Sequence, residues 1–286
     1  MKLHTDIIQG SPQWNELRAV NFTCSTLGPF ALEPVKISLT VPELKKALDA
    51  YGIGYTSKHL RPDLIALLPY PERLMELCDG ARTAILGKIH STRMLALRKR
   101  DPETLTMEER IMLNRENELD AKESRNFEYN IPVKYGKELE PFARSLYESK
   151  TGYEVTEVGF IEHDSGGFGY SPDGVVFRDG KPVRIAEFKA LLPVNHLGYL
   201  LDGVLPAEFE YQCHGGLAVT GLDECDLMLF CPGDAPLLVT VHRNEFTERL
   251  ESGLKTLVAE KRKMQERLAK LWEAEFMVKT PTLAIA

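Results

Sequence analysis

The sequence lacks several features that define large protein classes. It contains no run of about 18 uncharged apolar residues, so no membrane span and no membrane partner are expected. Its first residues, MKLHTD, have no apolar signal core, and an odd number of cysteines, five, suggests no disulfide framework. We therefore expect an intracellular chain in a reducing compartment.

Several sequence motifs of known chemistry are also missing. There is no phosphate-binding P-loop, no His-Glu-x-x-His, and no dinucleotide-binding glycine fingerprint. Cys213, Cys225 and Cys231 lack a Cys-x-x-Cys pair, so we expect buried structural cysteines rather than an iron–sulfur cluster. A net charge of -7 argues against a coat-like nucleic-acid binder, although a local basic groove remains compatible with it.

The remaining composition is that of a globular protein with one or two domains, since 286 residues can bury a full core. Periodicity predicts helices over 12–20, 136–151 and 206–220, and a long last helix capped by Asn244. Strands are predicted over 153–163, 173–178, 183–191, 225–231 and 236–241. This order predicts an α/β fold with a mixed sheet and helices on both faces.

The strongest chemical signal is Ser171-Pro172-Asp173-Gly174 followed by Glu187-Phe188-Lys189. Side chains two residues apart on a strand share a face, so Glu187 and Lys189 should meet Asp173 from the adjacent strand, with Phe188 pointing into the core. Two carboxylates and a backbone carbonyl suit Mg²⁺. The alternative is a surface Asp-Gly turn followed by an exposed Glu–Lys pair.

Glu140 is a fourth candidate. It should lie in the first turn of the helix that opens at Gly136, where the helix dipole favours a carboxylate and water bound to a metal would be within reach. A plain glutamate at a helix N-terminus is the alternative.

Together these residues resemble a known family. The stretches 136–140, 171–174 and 187–189, with Gln212 in the next helix, are similar to the phage-type exonucleases of the PD-(D/E)xK nuclease superfamily, especially the lambda-exonuclease-like and YqaJ-like viral recombinases. The opening from Gly10 to Arg18, followed by Thr23-Cys24-Ser25, also resembles that family. The resemblance covers roughly residues 7–30 and 131–245, and it implies a restriction-endonuclease-like core.

The resemblance implies a Mg²⁺-dependent deoxyribonuclease, with Mn²⁺ as an expected substitute. Asp173, Glu187 and the Phe188 carbonyl would bind the metal, and Lys189 would be the catalytic lysine. Glu140 would hold a metal-bound water or orient Lys189, and Gln212 would position the backbone or the lysine.

The resemblance also implies a site for the 5′ phosphate. Arg18, Ser25 and Ser171 match positions that bind this phosphate, and a guanidinium with two hydroxyls suits the role. Trp14 matches an aromatic residue near the DNA end, with a core tryptophan as the alternative. The sequence departs from the family at Cys213-His214, and we expect His214 to be a helix residue near the cleft.

Three divisions of the chain follow. Residues 1–36 and 131–286 would form the exonuclease core, 37–70 a helix–extension–helix module of the SAP or LEM type, and 71–130 a helical insertion. A capping box at Thr40 and Glu43 opens the module. It would either pack against protein or face DNA phosphates with Lys45, Lys46, Lys58, His59 and Arg61.

The insertion begins with a basic stretch. Residues 80–100 contain no Asp or Glu, and their basic residues are Arg82, Lys88, Arg93, Arg98, Lys99 and Arg100. This stretch would either follow a DNA backbone or form a solvated helix face. We expect the acidic stretch 101–128 to face away.

We therefore predict a 5′-to-3′ double-strand DNA exonuclease of phage or prophage recombination, which leaves 3′ single-stranded overhangs for annealing. Expected partners are duplex DNA ends, copies of the chain in a ring (trimer or tetramer), and a single-strand annealing protein, all in the bacterial host cytoplasm. The alternatives are a nuclease of the same fold with other polarity or substrate, such as a helicase- or CRISPR-associated type, a non-catalytic DNA-end-binding protein, and a metal-free structural protein.

Overall fold

A computed structural model describes residues 1–26, 28–69, 71–128 and 131–278. No helix in these ranges is long and apolar enough to cross a membrane. The helices are α1 (Pro12–Val20), α2 (Val41–Ala50), α3 (Arg61–Ala66), α4 (Asp79–Arg98), α5 (Met107–Glu128), α6 (Ile131–Thr151), α7 (Pro193–Asp202), α8 (Ala207–Thr220) and α9 (Glu245–Val278).

The strands of the described ranges form three sheets. The central sheet has the order β11-β10-β9-β8-β5, a second sheet the order β1-β6-β7-β2, and β3 pairs with β4. Their bounds are β1 (Lys2–His4), β2 (Phe22–Thr23), β3 (Val35–Ile37), β4 (Met75–Leu77), β5 (Val155–Thr156), β6 (Phe160–Glu162), β7 (Phe168–Tyr170), β8 (Gly174–Arg178), β9 (Lys181–Ala190), β10 (Glu224–Phe230) and β11 (Leu237–His242).

The central sheet is mixed, because β9 and β10 run parallel whereas β8–β9 and β10–β11 are antiparallel. Helix α6 covers one face, where Tyr147 packs with Phe188 and Met228. Helices α8 and α9 cover the other face, where Leu217 and Leu254 join the main core. The predicted α/β fold with helices on both faces is confirmed.

Several element bounds differ from the prediction. The strand expected over 153–163 is two short strands, and the Gly-rich turn after it contains an additional strand, β7. A Cβ on Gly169 would lie 2.4 Å from the Phe160 ring and 2.7 Å from the Ile161 carbonyl oxygen, so β7 requires glycine to pack against β6. Helix α7 was missed, whereas α8 ends at Thr220 as predicted and is followed by left-handed Gly221.

Residues 37–68 contain a separate hydrophobic cluster, formed around Leu44, Leu48 and Leu64 of α2 and α3. The predicted capping box is present, since the Thr40 amide donates to Glu43 at 2.7 Å. The proposed domain boundaries at 37 and 70 stay a prediction.

The helical insertion is broken near Pro102, between α4 and α5, and its acidic half does not face away. Helix α5 packs beside α4, where Glu109 pairs with Arg100, Asp120 with Arg98, and Glu116 with His90. Met94 and Leu97 of α4 share a hydrophobic cluster with Met112 and Leu113 of α5, and the ion pairs lie beside it. The basic stretch is therefore partly neutralised by its own insertion.

Candidate active site

Three candidate side chains converge at the edge of the antiparallel pair β8–β9. Asp173 directly precedes β8, and the register of Gly174 opposite Ala186 brings it beside the next residues of β9. Lys189 Nζ donates to Asp173 Oδ2 at 3.0 Å and to Glu187 Oε2 at 2.7 Å. The geometry expected from the alternation of side chains along a strand is therefore present.

The backbone of Phe188 completes this group. Its amide donates to Asp173 Oδ2 at 2.8 Å, and its carbonyl oxygen lies 3.4 Å from Lys189 Nζ. The Phe188 ring points to the opposite face and packs against Tyr147, as predicted. Two carboxylates and one carbonyl thus surround a single ammonium.

Glu187 is fully buried, and its environment raises its pKa to about 8. The main cause is burial, followed by repulsion from Asp173, while Lys189 acts in the opposite direction. Tyr170 Oη and Gln212 Nε2 also donate to Glu187. Burial disfavours the charged form of Lys189, but the two carboxylates outweigh it and raise the pKa of Lys189 above its usual value.

Glu140 lies close to these groups, although not where the sequence placed it. Because α6 begins at Ile131, Glu140 is in the third turn of the helix and not in the first, so the helix-dipole argument was wrong. Burial and the neighbouring Asp173 raise the pKa of Glu140, and Arg144 and Lys189 oppose the shift. Arg144 Nη2 contacts both Glu140 Oε1 and the Asp173 carbonyl, so Glu140 lies beside the Asp173 loop.

Arg144 and Gln9 were missed by the sequence analysis. Arg144 Nη2 donates to the Asp173 carbonyl at 3.2 Å and pairs with Glu140 Oε1 at 3.5 Å, and its other nitrogen, Nη1, pairs with Glu157. Gln9 Nε2 donates to the Pro172 carbonyl at 2.7 Å. The spacing of four between Glu140 and Arg144 was a visible signal for one of them, whereas nothing local identified Gln9.

The four residues expected at the 5′ phosphate also come together. Trp14 Nε1 donates to Ser171 Oγ at 2.9 Å, and Arg18 Nη2 donates to Ser25 Oγ at 3.0 Å. The Arg18 guanidinium lies 4.4 Å from the centre of the Trp14 ring. Since Ser171 is two residues before Asp173, this group adjoins the carboxylates.

The comparison with protein families identifies the segment that carries most of this site. Residues 88–223 match the model of the YqaJ-like viral recombinase domain. This segment of the chain is therefore similar to a YqaJ-like viral recombinase domain. The family resemblance seen in the motifs is confirmed, and the matched segment includes Glu140, Asp173, Glu187, Lys189 and Gln212, whereas Trp14, Arg18 and Ser25 precede it.

Solved structures resemble the chain well beyond the YqaJ-like domain. The alkaline exonuclease LHK-Exo from Laribacter hongkongensis, alone and in complex with dAMP, is 20% identical with a TM-score of 0.51, and the match covers 91% of this chain and 100% of that chain. A phage-related exonuclease from Haemophilus somnus 129PT, 13% identical over 88% of this chain and 99% of that one, has a TM-score of 0.40 and is too distant to carry an argument. No curated protein matches the sequence.

The likeness to LHK-Exo shows that the fold is of the predicted PD-(D/E)xK type. In the YqaJ-like domain, Asp173, Glu187 and the Phe188 carbonyl form a set of hard oxygen donors. Within the described residues, no three His, Cys, Asp or Glu side chains are grouped as a complete metal site. A cation here would therefore need the carbonyl and water as further ligands, which suits Mg²⁺. Burial and, after it, repulsion from Asp173 raise the pKa of Glu187, and a divalent cation would relieve the repulsion.

The remaining predictions concern buried residues of the core. His214 is buried on α8 and shares a 2.7 Å hydrogen bond with Thr247 of α9, so it contacts the core rather than the site. Cys213, Cys225 and Cys231 are free and buried, as expected for structural cysteines.

Proposed function

We propose that the protein is a Mg²⁺-dependent exonuclease that degrades one strand of duplex DNA from its 5′ end and leaves a 3′ single-stranded overhang. The observation that carries this proposal is the convergence of the Asp173 and Glu187 carboxylates on Lys189 Nζ beside the Phe188 carbonyl. The YqaJ-like domain and the fold shared with an alkaline exonuclease support the same reaction class.

In the proposed reaction, water attacks a phosphodiester phosphorus, the bond to the 3′ oxygen breaks, and a 5′-phosphorylated nucleotide is released. Asp173, Glu187 and the Phe188 carbonyl would hold Mg²⁺, which neutralises phosphate charge and lowers the pKa of water. Lys189 stays charged between its two carboxylates, so we assign it to orienting the water and stabilising negative charge on the phosphate.

Two further side chains would support these groups. Gln212 donates to Glu187 and so fixes the direction of that carboxylate. Glu140, held by Arg144 near Asp173, would orient the attacking water or Lys189. Both act by positioning, since preorganised groups lower the cost of reaching the transition state.

The polarity of the proposed enzyme rests on the group formed by Trp14, Arg18, Ser25 and Ser171. The Arg18 guanidinium and two hydroxyls supply charged and neutral donors for a terminal phosphate. The Trp14 ring lies beside Arg18 and offers an apolar surface to the terminal base. A 5′ phosphate bound there would be next to the carboxylates that cut the first phosphodiester.

The proposed setting is phage or prophage recombination in a bacterial cytoplasm, consistent with the viral recombinase domain. The 3′ overhang would be the substrate of a single-strand annealing protein. Several copies of the chain, as a trimeric or tetrameric ring, would enclose the duplex.

The proposal is tested with blunt duplexes that carry a 5′ phosphate, a 5′ hydroxyl or no free end, in Mg²⁺, in Mn²⁺ or in EDTA. Loss of one strand that depends on the 5′ phosphate and is blocked by EDTA supports it, as does Mn²⁺ replacing Mg²⁺. Binding without digestion would indicate an inert end-binding protein, and cutting of closed circles an endonuclease.

Arg18→Ala tests the polarity within the same assay. We expect this variant to lose the preference for a 5′ phosphate, because the Arg18 guanidinium is the only charged donor among the four side chains proposed to bind that phosphate. The matched control is Arg178→Ala at an exposed position of β8. Equal digestion of both end types by the wild type would overturn the assignment of Arg18.

A further inference from the structure

A large cleft lies apart from the carboxylates, between the β3–β4 pair and helix α9. Its volume is about 830 Å³, and segments distant in sequence line it: the two strands, the start of α3, the first turn of α4 and the middle of α9. Its apolar lining is limited to few side chains, including Leu77 and Met264. The cleft is therefore mainly a polar surface.

Positive side chains dominate this cleft although the protein is acidic overall. Five cations line it against three acids, Glu76, Asp79 and Glu260; the cations are Lys36, Arg61, Arg82, Lys263 and Arg267. Lys263 pairs with Glu260 at 2.6 Å. The other four cations make no ion pair within the described part of the chain, and all four are exposed.

Among the described residues, Arg61 is bound by backbone carbonyls and not by a carboxylate, so its positive charge is not neutralised. Its guanidinium donates to the backbone carbonyls of Leu39, at 3.3 Å, and Ile37. These neutral acceptors fix its direction towards the cleft and leave its full charge available. Arg61 and Arg82, which sequence patterns suggested separately as DNA contacts, thus line the same surface.

Helix α4 connects this cleft to the group expected at the 5′ phosphate. Lys88 Nζ donates to the Arg18 carbonyl at 2.6 Å, and Arg82 precedes Lys88 by six residues. At 1.5 Å per residue the two positions are about 9 Å apart along the helix axis. Successive phosphates of one DNA strand are about 3.4 Å apart along the duplex, so a strand that runs along α4 would cover this axial distance in roughly three nucleotides.

We propose that this basic cleft binds the phosphate backbone of duplex DNA a few nucleotides from the end that is cut, which rests on the proposed nuclease function. The unpaired cations complement a row of phosphates. An acidic polypeptide fits less well, because protein partners generally need apolar anchor pockets, and the cleft offers few apolar side chains. The three acids reduce the field but leave a net positive lining.

The test is the affinity for a blunt 30-base-pair duplex, measured by fluorescence anisotropy in EDTA between 50 and 300 mM salt. Arg82→Glu with Arg267→Glu should weaken binding at least about 10-fold at 100 mM salt and lower the salt slope by about two. The control pair Arg178→Glu with Lys181→Glu makes the same charge change at an exposed hairpin and should bind like wild type. The double variant Arg82→Gln with Arg267→Gln removes the two charges without reversing them, and it should also weaken DNA binding, though less. Thermal melting checks that it is folded.

The outcomes separate the two proposals. A wild type that degrades duplex DNA, with cleft variants of unchanged affinity and salt slope, overturns the cleft proposal alone. Unchanged DNA affinity with lost binding to polyglutamate would assign the cleft to an acidic polypeptide and also overturn it. A wild type that neither binds nor degrades DNA overturns the proposed function and the cleft proposal together.

Discussion

Two buried carboxylates on neighbouring strands of the central sheet have similar partners but differ in the arrangement of charge. Glu187 of β9 accepts from Tyr170, Lys189 and Gln212 on the face of α8. Asp226 of β10 accepts at 2.7 Å from each of Tyr147, Arg184 and Thr240 on the face of α6. Each carboxylate thus receives one phenol, one cation and one neutral donor.

The difference lies in how the cation meets its second carboxylate. Lys189 is a point charge, so Glu187 and Asp173 both reach the same nitrogen. Arg184 is a planar fork that places Asp226 on one nitrogen and Glu224 on the other, which keeps the two acids apart. Lys189 therefore brings two carboxylates close to one point, as a metal site requires. Arg184 holds its two carboxylates on separate nitrogens, as in a structural ion-pair network.

The largest expected effect is on cleavage. Asp173→Asn keeps the shape of the side chain but removes one of the two charges proposed to hold Mg²⁺, so we expect cleavage to fall roughly 1000-fold or more. Nuclease assays at saturating Mg²⁺ measure this loss, and thermal melting should show little loss of fold. Retention of substantial activity would remove Asp173 from the proposed metal site. Lys189→Ala should behave in the same way.

Asp226→Asn should produce the opposite pattern. The amide would present a donor to partners that are all donors in the present network, and breaking a buried ion pair costs about 3 kcal/mol or more. Urea unfolding measures the loss of stability, and cleavage by the folded protein should stay near wild type. If cleavage fell as far as in Asp173→Asn, the distinction between the two clusters would be wrong.

Arg144→Ala addresses the support of Asp173. We expect cleavage to fall about 10- to 100-fold and the Mg²⁺ concentration for half-maximal activity to rise, because the Asp173 loop and Glu140 both lose a donor. Glu157→Gln weakens only the exposed partner of Arg144 and serves as the control. Mg²⁺ binding measured by calorimetry gives a second readout, and unchanged binding together with unchanged cleavage would exclude the positioning role.

The smallest expected effect is a change in the pH dependence of stability, measured for Glu187→Gln in EDTA. The pKa of Glu187 is raised to about 8 in the folded protein, so its contribution is fully present below the unfolded pKa near 4.3 and is lost as pH rises through about 8. The Tm difference, variant minus wild type, should therefore become more positive between pH 5 and 9, by roughly 6 °C. A constant difference would contradict the raised pKa.

Local patterns predicted the parts of the site that depend on neighbouring residues. The alternation along a strand placed Glu187 and Lys189 on one side, and the Pro-Asp-Gly turn placed Asp173 at the start of the paired strand. Helix α8 was predicted for the same reason, as was the cap Asn244, whose side chain accepts from the Thr247 amide at 3.3 Å. Each of these features depends on residues that lie close together in the sequence.

Features with long-range causes were missed or misplaced. Strand β7 was hidden among turn glycines because its reason, contact with Phe160, lies in another strand. Helix α6 extends five residues beyond its predicted start, and acidic α5 packs against basic α4, which no pattern within either helix indicated.

The sequence by itself determined the α/β fold class, the residues of the carboxylate–lysine cluster and the likeness to the viral recombinases, because these depend on periodicity and spacing. Only the tertiary structure decided that Gln9 and Arg144 hold the carbonyls of Pro172 and Asp173, and that Arg61, Arg82 and Arg267 share one cleft. Most of these contacts join segments far apart in the chain, so their pairing depends on how the helices and sheets pack.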